Sequence, residues 1–140
     1  MAVQDDNWSL TEYRDPKSPK VWVFRKNLAP TVSPGSASHP HVCYLSFNYS
    51  PRDETGLPSP EDARRLEAIE MGEIPSLERG NLSVLVGVAL KEGVKDFIFY
   101  ASDPHEFLDR ASHIRDAHPE YDLGCEVGPN PDWSHYEDLP

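Results

Sequence analysis

A chain of 140 residues fits one domain and can bury a hydrophobic core without disulfides or metals. The formal net charge of −11 excludes non-specific nucleic-acid binding, because such binding depends on Lys and Arg contacts to phosphate. No apolar run reaches the ~18 residues of a membrane span, and the N-terminus lacks a signal-peptide pattern. The two cysteines indicate a reducing compartment. We therefore expect a cytoplasmic protein with no membrane contact.

The N-terminal residues 1–19 are mostly polar and are predicted to form a loosely anchored segment, pinned to the core by Trp8, Leu10 and Tyr13. Residues 20–27 then alternate aromatic and β-branched side chains, which predicts a first strand. This strand cannot pair with the next one in the predicted sheet, so we expect it to extend an edge.

A second strand is predicted over residues 41–49, after a proline-containing loop at 28–40. Its alternation places Cys43, Leu45 and Phe47 on one face and Val42, Tyr44, Ser46 and Asn48 on the other. A second loop covers 50–58. A helix is then predicted from about Pro60 to Glu73, because Ser59 suits the N-cap and Pro60 the first helical position.

Residues 81–118 carry the strongest pattern in the chain. Two apolar strands, 81–90 and 94–101, flank a short turn whose Gly93 can take a positive φ, and so predict a hairpin. Asp103 and Pro104 predict the start of a second helix, which His118-Pro119 ends. We expect one buried face of the hairpin's first strand to be shared by alternate residues: Leu82, Val84, Val86, Val88 and Leu90.

A last strand at 121–127 and a docked tail at 131–140, with Trp133, Tyr136 and Leu139 spaced three apart, complete the chain. Without the first strand, the order is βαββαβ. We therefore predict an α+β fold in a single domain, 1–140. It is a ferredoxin-like two-layer sandwich with an additional N-terminal edge strand and both helices on one sheet face. Cys43 and Cys125 would lie on adjacent strands toward the helices, where two buried hydrophobes are the favoured interpretation over a redox pair or half a metal site.

Two candidate sites follow from this arrangement. Glu67, Glu70 and Glu73 recur at three-residue steps on the first helix and predict an acidic surface for a protein partner with a basic surface, the alternative being a solvated helix face. The second candidate is a pocket on the open sheet face beside the loops, with the side chains of His41, Tyr44 and Asn48.

Catalytic and metal motifs are not recognisable in the sequence. The six histidines do not have zinc-ligand spacing, the serines lack a nucleophile elbow, and the cysteines have no basic neighbours in sequence. We therefore predict no catalytic residues, no metal and no cofactor.

Scattered residues along most of the chain resemble the bacterial domain of unknown function 695 family. These residues are Gly56-Leu57-Pro58, Glu70, Gly87, Phe99-Tyr100 and the tail Trp133-Ser-His-Tyr-Glu-Asp-Leu-Pro140. That family looks related to the regulator of ribonuclease E activity B family, small acidic ferredoxin-like proteins that bind and modulate a ribonuclease. The resemblance implies a non-catalytic binding role and assigns no catalytic residue.

These observations predict a non-catalytic, regulatory protein-binding module of the bacterial cytoplasm. The alternative is a small enzyme or ligand-binding domain with a pocket at the open sheet face. Homodimerisation over that face is left open, and intramolecular cover by the aromatic terminal segments is the competing arrangement.

Overall fold

Six β-strands form one antiparallel sheet in the computed structural model, which describes residues 7–140. The strands are β1 (Trp8–Arg14), β2 (Val21–Asn27), β3 (His41–Asn48), β4 (Ser83–Lys91), β5 (Val94–Ala101) and β6 (Gly124–Pro129). The helices are α1 (Pro60–Gly72), α2 (Pro104–Ala117) and the short α3 (Ser134–Glu137), and 3-10 turns lie at Ile74–Leu77, Arg79–Asn81 and Pro119–Tyr121. The sheet order is β1-β2-β4-β5-β3-β6, which confirms the predicted α+β class.

Both long helices begin at the residues that the capping pattern predicts. The Ser59 hydroxyl accepts a hydrogen bond from the Asp62 amide at 3.1 Å, and Pro60 occupies the first turn of α1. Asp103 accepts hydrogen bonds from the amides of His105 and Glu106, so α2 starts at Pro104. These caps satisfy backbone donors that a helix leaves unpaired at its N-terminus.

The N-terminal segment differs from the prediction, because residues 8–14 form β1 instead of a loose anchor. β1 pairs with β2 along its whole length, and β2 in turn pairs with β4, so the predicted edge strand lies second from the edge. Glu12 and Arg14 are exposed on β1 and form an ion pair with each other. Charged side chains of this kind are common on edge strands, where they discourage pairing with other chains. Residues 1–6 of the predicted segment lie outside the described residues.

A β-bulge in β4 overturns the single buried face predicted for this strand. Leu85 pairs with Phe99 but Gly87 pairs with Ile98, so Val86 is an extra residue on the β4 side. One extra residue exchanges the faces beyond it. Val84 and Val86 therefore pack on one side of the sheet, whereas the later apolar residues of β4, Val88 and Leu90, pack on the other.

Side chains outside β4 satisfy the backbone at this bulge. The Leu85 amide donates to the Glu78 carboxylate at 2.9 Å, and the Asn27 side-chain amide donates to the Leu85 carbonyl at 3.1 Å. Burial raises the pKa of Glu78, and the hydrogen bond from Leu85 opposes that effect. The bulge is thus fixed by residues distant in sequence.

The main core lies between the sheet and the two long helices. Leu66 and Ile69 from α1 and Phe107, Ala111 and Ile114 from α2 pack against one face of the central strands. Cys43 and Cys125 lie on adjacent antiparallel strands and both belong to this side, as predicted. Tyr121 and Leu123 are also buried here, although β6 begins only at Gly124 because Pro119–Tyr121 forms a 3-10 turn.

The C-terminal tail covers part of the opposite sheet face. The Trp133 ring stacks on Tyr100 with centroids 4.0 Å apart, and its indole N–H donates to the His39 carbonyl at 2.9 Å. The Tyr136 amide donates to the Tyr100 hydroxyl. Leu139 lies over Gly87, where an added Cβ would be 2.6 Å from the leucine Cδ1. A second core cluster therefore forms between the tail and the sheet.

Candidate functional site

The three glutamates of the predicted acidic surface have different environments. Glu67 is exposed on α1. Glu70 points to the sheet and bonds Arg25 at 2.7 Å and Lys95 at 3.1 Å. Glu73 accepts a hydrogen bond from the imidazole of His118. The structure does not bring the three carboxylates together as one free acidic surface, since two of them are engaged within the chain.

The contacts of Glu70 join α1 to the sheet. Burial by itself would raise the pKa of Glu70, but the charges and hydrogen bonds of Lys95 and Arg25 outweigh it and lower the pKa. Burial lowers the pKa of Lys95, and the attraction of Glu70 offsets only part of that effect. Side-chain exposures of 12% for Lys95 and 19% for Glu70 make this a largely buried ion pair. Its role is structural.

His41, Tyr44 and Asn48 of the alternative pocket do not lie on one face of β3. His41 shares the helix-side face with Cys43, and its Nδ1 is buried without a hydrogen-bond partner among the described residues. Tyr44 and Asn48 lie on the other face. The Asn48 side chain donates to the Asp122 carbonyl at 2.8 Å, so its amide is engaged. Tyr44 is the member of this set whose side chain contacts the C-terminal tail.

The tail residue that contacts Tyr44 is His135. The Tyr44 hydroxyl and the His135 Nδ1 are 2.9 Å apart, and the two rings meet edge to face. Burial raises the pKa of Tyr44 first, and three nearby carboxylates, Asp96, Asp138 and Glu126, raise it further. A tyrosine with a raised pKa stays protonated at neutral pH, so Tyr44 is suited to donate a hydrogen bond and unsuited to act as a base.

We call this group of side chains the Tyr44 patch. It consists of Tyr44, Ser46, Asp96, Glu126, His135 and Asp138. Asp96 faces the same side of the sheet as Ser46, accepts its hydroxyl hydrogen bond and has its pKa raised by burial. Lys91 is close enough to lower that pKa in part. None of the three carboxylates forms an ion pair with a residue in the range 7–140.

The Tyr44 patch could be only partly anticipated. The alternation of residues 41–49 places Tyr44 and Ser46 on the open face. Asp96, Glu126, His135 and Asp138 were missed, because their place beside Tyr44 depends on strand pairing and on the path of the tail. The usable signal was Asp96, which with Lys95 is one of two charged residues in a strand that is apolar elsewhere.

Both cysteines are free thiols, Cys43 buried and Cys125 half-buried. Burial raises the pKa of Cys43 to about 12 and that of Cys125 to about 11, so both thiols stay protonated and weakly nucleophilic at neutral pH. Within residues 7–140, no group of three or more His, Cys, Asp or Glu side chains is placed to hold a metal ion.

Two cavities lie on the helix side of the protein, away from the Tyr44 patch. One, of about 150 Å³, lies between α2 and β6 and is lined in part by Leu45, Leu108 and Cys125. The other, of about 360 Å³, is lined by Ser76, Arg79, Arg110 and His113. Neither has Tyr44, Asn48 or His41 in its wall.

Comparison with known proteins identifies a family. The family model described as "Family of unknown function (DUF695)" matches residues 6–139. Searches of curated proteins and of solved structures returned no significant match. None of the helices within residues 7–140 has the length and apolar character needed to cross a membrane.

Proposed function

The chain belongs to DUF695, a family of unknown function, and we propose that it is a non-catalytic, regulatory protein-binding module. The carrying observation is the Tyr44 patch, in which Glu126 is the cross-strand neighbour of Tyr44, and Asp96 and Asp138 lie near enough to raise the pKa of its hydroxyl. Carboxylates beside an aromatic ring suit a lysine or arginine side chain, which can pair with the charge and stack on the ring. The partner would present a basic surface, in keeping with the formal net charge of −11.

A ferredoxin-like core is the finer fold assignment that we propose. Two features support it: the central sheet order β4-β5-β3-β6 with antiparallel neighbours, and the chain order β3, α1, β4, β5, α2, β6. A relationship to the regulator of ribonuclease E activity B family remains part of this proposal, and it would make a ribonuclease one partner to test. The two free cysteines fit a reducing compartment such as the cytoplasm.

Glu67 is the residue of the predicted helix surface that is free to contribute to binding. Replacing Glu70 or Glu73 would disturb contacts within the chain, so a loss of binding in those variants would be ambiguous. Glu126 and Asp138 are exposed, without ion pairs in the described residues, and can be neutralised with little effect on the fold.

The test is a pull-down from bacterial lysate at low and moderate salt, with retained proteins identified by mass spectrometry. We expect a salt-sensitive basic protein that Glu126→Gln with Asp138→Asn releases, whereas Glu67→Gln leaves it bound. Release by Glu67→Gln alone would move the binding surface to α1. If no protein is retained by the unmodified chain, the binding function is refuted.

A ligand-binding or enzymatic role at the same face is the second candidate, and the hydrogen bond between Tyr44 and His135 favours it. Ligand sites carry a few placed polar groups such as tyrosine hydroxyls, and histidine is a frequent general acid or base. A small molecule bound to the purified protein, and lost on Tyr44→Phe, would support this role. A protein that carries no metabolite after native purification would contradict it.

A further inference from the structure

The larger cavity combines basic side chains in an otherwise acidic protein. It is a groove of about 360 Å³ between the 3-10 turns at 74–81 and helix α2, and its walls are Ser76, Arg79, Arg110 and His113. Only 13 Lys and Arg residues are set against 24 Asp and Glu in the chain, so two arginines and a histidine in one groove are an unusual local concentration.

Arg110 is held in a fixed orientation at the base of this groove. Its Nη1 donates to the Ser76 and Arg79 carbonyls, both at 3.0 Å, and its Nε donates to Glu106 at 3.0 Å. A guanidinium has five N–H donors, so the two on Nη2 remain for another acceptor. The backbone contacts order the side chain before any ligand arrives, which reduces the entropy cost of binding.

Arg79 supplies donors on another side of the groove, and His113 adds a ring nitrogen to its wall. Arg79 is exposed and has no ion-pair partner within the described residues, so its whole guanidinium is available. The His113 Nδ1 donates to the Asp109 carbonyl at 3.0 Å, which leaves Nε2 as the nitrogen directed away from the helix backbone. The charge of Glu106 offsets Arg110, so Arg79 carries most of the uncompensated positive charge.

We propose that this groove binds a phosphate group, either as free phosphate or as the phosphate of a small metabolite. Arginine forks match phosphate oxygens, and a phosphate presents oxygens in several directions, so it can accept from both Arg110 and Arg79. The groove volume of about 360 Å³ lies near the lower end of the volumes of small-molecule sites and exceeds the space that one inorganic phosphate fills. The phosphate of a small metabolite is therefore the better fit. This site lies on the helix side and does not depend on the proposed function of the Tyr44 patch.

The test is a titration of the whole ¹⁵N-labelled chain with glycerol 3-phosphate, inorganic phosphate and succinate, followed by amide chemical shifts. We expect saturable shifts confined to residues 74–81 and 105–113. Arg79→Ala should weaken binding about tenfold, the value of one lost charge-assisted contact. Arg64→Ala, which removes an exposed arginine from α1, is the matched control and should leave binding unchanged.

The two phosphate probes separate the sources of the ligand. Equal affinity for both assigns the site to the phosphate group alone, and tighter binding of glycerol 3-phosphate assigns it to a phosphorylated metabolite. Three results would overturn the proposal: no saturable shift at millimolar probe, equal weakening by Arg79→Ala and Arg64→Ala, or succinate binding as tightly as the phosphates. Because Arg79 is exposed, circular dichroism is expected to show an intact fold in Arg79→Ala.

Discussion

Removing the indole of Trp133 should destabilise the whole domain rather than the tail alone. The ring is fully buried, stacks on Tyr100 at 4.0 Å with planes 10° apart, and donates its N–H to the His39 carbonyl. Truncating a buried tryptophan to alanine costs about 3–5 kcal/mol, because contacts are lost and a cavity remains. For a domain with about 5–15 kcal/mol of total stability, Trp133→Ala would remove a large share.

The assay is urea unfolding followed by far-UV circular dichroism, with thermal unfolding as a second measurement. At about 3 °C per kcal/mol for a domain of this size, Trp133→Ala should lower Tm by about 9–15 °C. Trp133→Phe is the matched control, because phenylalanine keeps an aromatic ring on Tyr100 but cannot donate to His39. We expect it to cost about 1–2 kcal/mol, the price of an unpaired buried carbonyl and a smaller ring.

Two results would refute this reasoning. A loss below about 1 kcal/mol in Trp133→Ala would mean that the tail contributes little to the cooperative unit. A two-step transition in the unmodified chain, with the tail melting first, would mean that the second core cluster unfolds separately from the main core.

Three further predictions concern the remaining contacts. Gly87→Ala should cost about 1 kcal/mol, because the new methyl would meet the end of the Leu139 side chain, which must shift. Adding Leu139→Ala should make the double variant less destabilised than the sum of the two single variants, as a double-mutant cycle of urea unfolding would reveal. Glu70→Gln should lower the free energy of unfolding by about 2–3 kcal/mol, because it leaves Arg25 and Lys95 without a carboxylate. Glu67→Gln should change it by no more than about 0.5 kcal/mol. Equal losses for the two variants in unfolding experiments would contradict this difference. Burial raises the pKa of Asp96 above 3.8 in the folded protein, so the contribution of Asp96 to stability is most favourable below pH 3.8 and is lost as the pH rises through the folded pKa. Asp96→Asn should therefore be more stable than the parent protein at pH 7 but not at pH 3. A parent protein that is more stable than Asp96→Asn at pH 7 would show that the Ser46 hydrogen bond dominates.

The local patterns of the sequence were enough to identify most of the elements. The starts of α1 and α2 follow from Ser59-Pro60 and Asp103-Pro104, since capping and the fixed φ of proline act within a few residues. Alternation in the strand at 41–49 correctly sorted its two faces, because successive side chains in a strand point to opposite sides. The family was also recognisable from scattered residues, and Gly87 and Leu139 among them prove to be in contact.

Only the tertiary structure decided which polar residues are free and which are engaged. Sequence spacing treated Glu67, Glu70 and Glu73 alike, but Arg25, Lys95 and His118 reach two of them from distant parts of the chain. The Tyr44 patch likewise forms because β5, β6 and the tail converge on one strand.

Strand register was the other feature that local patterns could not supply. The bulge at Val86 depends on the pairing of β4 with β5 and on hydrogen bonds with Glu78 and Asn27. The strand β1 has a polar composition and gains its stability from pairing with β2. The sequence by itself determined most of the elements because propensity, capping and alternation are short-range effects. Their register, their burial and the charges left exposed were decided by the tertiary structure, because those depend on contacts between residues far apart in the chain.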